Sequence, residues 1–145
     1  MSNPQFKTIL APVDLSDRSR AVLEYACKLA APLSARVEVL FVQPVTRVTS
    51  TGSDGSPSER LAEGRTALHR FVRSVTGARG LTISEHVELG NPLERIVEYA
   101  RETAADLLVL GTHGRVGRMH ALAGSLAESI VRVAPCPVVT MRDAS

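Results

Sequence analysis

Apolar positions along the chain fall into short continuous runs separated by longer stretches in which they recur at helical spacing. Residues 8–13, TILAPV, form the first run. The following LSDRSRAVLEYACKLAAPL carries a helix-start signal at Ser16 and Asp17, with alanines at helical spacing, so it predicts a helix after a strand. ARVEVLFVQP is rich in β-branched residues and stops at Pro44, which predicts a second strand. Residues 46–58, TRVTSTGSDGSPS, are polar, Gly/Ser-rich and without period, and predict a loop that is mobile until a ligand orders it.

From Ser58 onward Leu61, Leu68, Val72 and Val75 share one helical face, predicting a second helix. LTISEHVEL alternates at Leu81, Ile83, Val87 and Leu89 until Gly90 stops it, the mark of a strand with one wetter face. Asn91 and Pro92 then supply an N-cap and a first-turn proline, and Leu93, Ile96, Val97 and Ala100 trace a buried helical stripe. DLLVLG is apolar on both faces, SLAESIVRVA reads as a helix beginning at Ser125, and PVVTMR is a last strand opened by Pro137. The order βαβαβαβαβ implies a single-domain, doubly wound, Rossmann-like α/β fold: a five-stranded parallel sheet with helices on both faces. If the two most buried strands, the first and the fourth, are neighbours, the strand order is 3-2-1-4-5.

Length is consistent with this reading, because 145 residues with 44% hydrophobic content suit one domain with a substantial core and leave no room for a second. Charge narrows the partners. Seventeen basic and 15 acidic residues are spread along the chain without a long run of one sign, and aromatics make up 3% with no Trp. Nucleic acid is therefore not expected as a partner. The start of the chain lacks a leader pattern and no window approaches eighteen consecutive apolar residues, so a cytoplasmic protein without membrane contact is expected. Cys27 and Cys136 show neither CxxC spacing nor metal-ligand company and read as reduced thiols, Cys27 as core packing.

In a sheet wound both ways, ligands collect beyond the carboxyl ends of the strands where the winding reverses. That point places Asp14, after the first strand, opposite Gly111, after the fourth. Glycines there let backbone N–H groups approach a ligand, and a helix start at Gly124 and Ser125 would add its positive end, a combination suited to phosphate. The spacing is not a Walker A loop, having no Gly-Lys-Ser/Thr, nor the dinucleotide GxGxxG. It is G-x2-G-x9-G-[ST], through Gly111, Gly114, Gly124 and Ser125. Asp14 suits either a ligand contact or a helix cap. Ser125 can cap and bind phosphate at once. His113 suits a hydrogen bond to phosphate, a base, or plain solvation, and Arg115 and Arg118 a phosphate contact or a solvated loop face.

With that motif and the segments ILAPVDLSDRSRAVLEYACKLA, GNPLERIVEYARETAADLLVLGTHG and GSLAESIVRVAPCPVVTMR, the chain resembles the universal stress protein family, in its ATP-binding subclass. The resemblance implies that Pro12, Val13 and Asp14 border adenosine and that the backbone of Val42 meets the adenine edge. Gly111, Thr112, Gly114, Gly124, Ser125 and Leu126 would hold ribose and phosphates, with Mg²⁺ carried by the phosphates and not by a protein cage. It also implies a homodimer, which an exposed last strand would favour by self-pairing. Three functions fit such a fold: an ATP-binding regulatory module of the stress response acting through protein partners, a slow ATPase or nucleotide-dependent transferase, and a dimeric interaction protein with an empty site. The complete glycine motif argues against the third. The absence of an HxGH motif and of a second substrate domain argues against a dedicated transferase.

Overall fold

The structure, a computed structural model, describes residues 5–44, 55–75, 77, 80–112 and 121–142. Five strands, β1 (Thr8–Val13), β2 (Arg36–Gln43), β3 (Ile83–Leu89), β4 (Leu107–Gly111) and β5 (Val138–Met141), alternate with four helices. These are α1 (Asp17–Leu33), α2 (Pro57–Arg73), α3 (Pro92–Glu102) and α4 (Ala121–Val133). Every strand pair is parallel and the order is β3-β2-β1-β4-β5, as the pattern of apolar runs predicts.

Side-chain alternation along the strands divides the interior into two layers. Ile9, Ala11 and Val13 of β1 join Val37 and Val39 of β2 against Val22, Leu23 and Ala26 of α1 and Leu68, Phe71 and Val72 of α2. Leu10, Leu40, Leu108 and Leu110 point the other way, toward Ile96, Tyr99 and Ala100 of α3 and Ile130 of α4. Because Ile9, Leu10, Leu108 and Val109 are all fully buried, β1 and β4 carry apolar residues on both faces, which explains why they read as continuous apolar runs. Cys27 is buried in the first of these layers.

Two helices start earlier than their apolar stripes suggest. Residues 57 and 58, expected to close the polar loop, belong to α2, because the Ser56 side chain accepts from Glu59 N–H while Glu59 bonds back to the Ser56 backbone. This capping box, with Pro57 in the first turn, outweighs the Gly/Ser composition before it. The rest of that loop, residues 46–54, lies outside the described residues. Helix α4 begins at Ala121 and not at Ser125. A helix interior tolerates one glycine at roughly 1 kcal/mol, and the good helix formers Ala121, Leu122 and Ala123 offset it. Gly124 and Ser125 thus lie inside α4, beyond the N–H groups that a helix start leaves unbonded.

Candidate functional site

The chain turns sharply at the carboxyl end of β1. Leu15 adopts a left-handed φ of 66°, which costs a side-chain-bearing residue about 1–2 kcal/mol, while its side chain still packs on the core. The turn is held by a compact hydrogen-bond group. Asp14 Oδ1 accepts from Ser16 N–H at 3.0 Å and from the Ser16 hydroxyl, and Ser16 Oγ, the N-cap of α1, accepts from Ser19 N–H at 3.2 Å. Ser19 Oγ in turn accepts from Asp14 N–H at 3.3 Å and donates to the Ser16 carbonyl. Of the two roles open to Asp14, capping falls to Ser16. Asp14 instead fixes the capping residue, and its carboxylate is positioned at the mouth of the sheet.

Beside it, between the carboxyl ends of β1, β2 and β4, lies a cavity of about 410 Å³. Pro12, Val13 and Asp14 form one wall, Val42 another, and Gly111 and Leu126 line it from β4 and α4. Six of the residues singled out from sequence are thereby brought together at the point where the winding reverses. Thr112 is used differently: both its N–H and its hydroxyl donate to the Met141 carbonyl at 3.1 Å, extending the β4–β5 ladder beyond the Gly111–Met141 pair. His113, Gly114 and Arg115, with Arg118, lie outside the described residues. Gly124 and Ser125 are in the helix whose next turn supplies Leu126, Ala127 and Ile130 to the cavity.

The cavity also has walls that sequence reading missed. Pro92 and Ile96 of α3 close its apolar side, and Gln43, Pro44 and Arg60 close the side of α2. Arg60 reaches back from α2 to donate through Nη2 to the Pro44 carbonyl at 3.2 Å. Gln43 interrupts the otherwise apolar end of β2, the one local signal that could have drawn notice. Arg60 gives none, because only the packing of α2 brings it to the site. Apolar walls with few polar groups at their rim suit a flat heterocycle attached to a polar tail.

A doubly wound parallel sheet with a crevice at its switch point is an α/β architecture in which that crevice is the usual place for ligands. Comparison with known proteins gives the particular family. The model of the universal stress protein family matches residues 5–142, and the chain belongs to that family. Universal stress protein MJ0531 of Methanocaldococcus jannaschii is 34% identical over 141 residues, which span 94% of this chain and 82% of that protein. The solved structure of universal stress protein UspA from Lactobacillus plantarum has a TM-score of 0.79 at 28% identity, covering 97% of this chain and 100% of the other. A universal stress protein from Archaeoglobus fulgidus, solved in complex with dAMP, has a TM-score of 0.67 at 26% identity, covering 94% and 98% respectively. Among the described residues no helix is long and apolar enough to cross a membrane.

Proposed function

We propose that this chain is a single-domain, ATP-binding universal stress protein, a regulatory module that holds adenine nucleotide and acts through protein partners in the cytoplasm. The observation that carries the reading is the cavity itself. Its walls at Pro12, Val13, Asp14, Val42, Gly111 and Leu126 are among those that the family resemblance gives to adenosine, ribose and phosphates. Its volume lies within the range of roughly 300–1,000 Å³ in which small ligands are held. The dAMP complex of the Archaeoglobus fulgidus protein supports an adenine nucleotide as the ligand class. Triphosphate would extend from Gly111 toward Gly114 and the start of α4, with Mg²⁺ carried by the phosphates.

Between Gly111 and Ser125 the chain has no Lys, Asp, Glu or Gln, so the candidate bases there are His113 and His120, and rapid phosphoryl transfer lacks its usual positioning groups. Turnover well below about 1 s⁻¹ is expected. The experiment is calorimetric titration with MgATP, joined to mass analysis of whatever the purified protein releases on denaturation. Saturable one-site binding and a released adenine nucleotide are expected. A protein that neither releases nor binds adenine nucleotide would refute the proposal, and single-turnover hydrolysis faster than that bound would replace the regulator with an ATPase.

A further inference from the structure

The end of β2 contains a polar group with nothing to bind. Val37, Val39 and Phe41 face the layer of α1 and α2, and Gln43 continues that row by the alternation of the strand. Its backbone is fixed, because the Gln43 carbonyl accepts from Gly90 N–H at 3.0 Å. Its side-chain Oε1 is buried and has no hydrogen-bond partner. Helix α2 closes over it through Gly64, where an added Cβ would stand 3.2 Å from Gln43 Oε1 and 2.8 Å from Val87 Cγ1. On its other side Gln43 lines the cavity. The neighbouring donor, Arg60 Nη2, is engaged by the Pro44 carbonyl.

A buried amide oxygen without a donor is costly, and an apolar side chain of similar shape would fit this position at less cost. The cavity is where a donor can enter. The terminal torsion of Gln43 is broad, so the amide can adjust to a donor that enters there. Phosphate oxygens accept and do not donate when ionised, so an acceptor here serves the nucleoside part of a nucleotide and not its phosphates.

We infer that Gln43 is a specificity-determining residue of the cavity, its amide oxygen accepting a hydrogen bond from an N–H or O–H donor of bound adenosine. This rests on the nucleotide reading above. The donor is either the exocyclic amino group of the base or the ribose 2′-hydroxyl, and two analogues separate them: inosine triphosphate, with a carbonyl in place of that amino group, and 2′-deoxy-ATP.

The test is calorimetric titration of the wild type, Gln43→Met and Gln43→Glu with ATP and both analogues, with a thermal melt of each empty protein. Gln43→Met removes the orphaned oxygen at nearly constant shape. It is expected to raise the melting temperature of the empty protein while weakening ATP about tenfold, the scale of one buried hydrogen bond. The analogue that lacks the donor should bind the wild type and the Met variant equally, which identifies the base or the ribose as the source. Gln43→Glu retains an acceptor and should retain the preference for ATP over that analogue. Equal affinity of wild type and Gln43→Met for ATP, or an equal loss for all three nucleotides, would overturn the inference and leave the nucleotide proposal standing. A wild type that binds none of the three refutes both.

Discussion

Replacing Tyr99 by Phe tests the electrostatics of the α3 layer. Glu38, in the middle of β2, is 4% exposed, and Tyr99 of α3 is 5% exposed. The Tyr99 hydroxyl donates to Glu38 Oε2 at 3.1 Å, and Arg36 Nε stands 3.4 Å from the other carboxylate oxygen. The His86 ring leans on the Tyr99 ring with centroids 4.9 Å apart. Phenylalanine keeps the ring, so no cavity opens. The loss is one hydrogen bond to a charged, buried acceptor, which is about 1.5–3 kcal/mol. Arg36 cannot replace it, because its side chain is half-exposed and its Nε also donates to Thr8 Oγ1 at 3.1 Å. Urea denaturation at neutral pH should show that loss, and in a chain of this size it lowers the melting temperature by roughly 3–12 °C. A double-mutant cycle with Glu38→Gln should give a coupling of at least about 0.5 kcal/mol. A smaller loss and additive variants together would refute the assignment of the buried pair as a stabilising contact.

The same pair sets an alkaline limit. Burial first, then the Glu38 carboxylate and its hydrogen bond, push the Tyr99 phenol far above its ordinary value of 10.0. Above that value the unfolded chain has lost the proton and the folded chain retains it, so stability is fully present below about pH 10 and falls as pH rises. One group contributes a slope of up to about 1.4 kcal/mol per pH unit. Cys27, raised from 9.0 by burial and then by Glu24, adds to the same limb and begins earlier. Tyr99→Phe should therefore make the decline above pH 10 shallower while leaving the Cys27 share. An unchanged alkaline slope would count against the raised phenol.

Gly64→Ala should gain about 1 kcal/mol of helix propensity but lose roughly 1–3 kcal/mol to overpacking, because its Cβ would stand 2.8 Å from Val87 Cγ1. Net destabilisation by chemical denaturation is expected, and net stabilisation would show that α2 need not approach β3 so closely. Asp14→Ala should weaken MgATP binding and loosen the start of α1, whose cap depends on Asp14 Oδ1, whereas Asp14→Asn retains an acceptor and should spare the helix. Equal helix stability in both variants by hydrogen exchange would dismiss the supporting role. The β5 edge should pair across a two-fold axis to give a dimer, and light scattering that returned a monomer at micromolar concentration would end that proposal.

What was legible in the sequence follows the physics of each element. β1 and β4 are covered on both faces, so apolar content alone marks them, and their adjacency follows from that shared burial. The start of α3 was equally plain, because Asn91 accepts from Glu94 N–H and Pro92 opens the first turn, a local signal that needs no tertiary context. Composition misled at α2, where Ser56, inside a segment read as loop, formed a cap with Glu59. At α4 a glycine was taken for a boundary that the alanines before it override. For the site, the placing of Asp14 opposite Gly111 was readable because topology dictates it, whereas Pro12 came from the family resemblance. Gln43 and Arg60 were not, since their place depends on how α2 lies across the end of β2.

The departures from local preference are not distributed evenly over the molecule. Among the described residues three non-glycine positions have left-handed φ, and two of them, Ser34 and Ala104, follow helices whose last carbonyls they and their successors cap, where that conformation is ordinary. Leu15 has no such excuse: it precedes a helix, next in sequence to Asp14, which lines the cavity. Two buried side-chain atoms among the described residues have no partner. Arg95 Nε is pressed against the β3–α3 turn at Gly90, and Gln43 Oε1 lies in the cavity wall. A strained turn beside Asp14 and an unsatisfied acceptor at Gln43 both lower the stability of the empty fold. A protein held only to the demands of packing would replace the second with methionine or leucine. Such local costs persist where a site requires them, so a ligand that satisfies Gln43 should stabilise the protein beyond what its contact area with the apolar walls supplies.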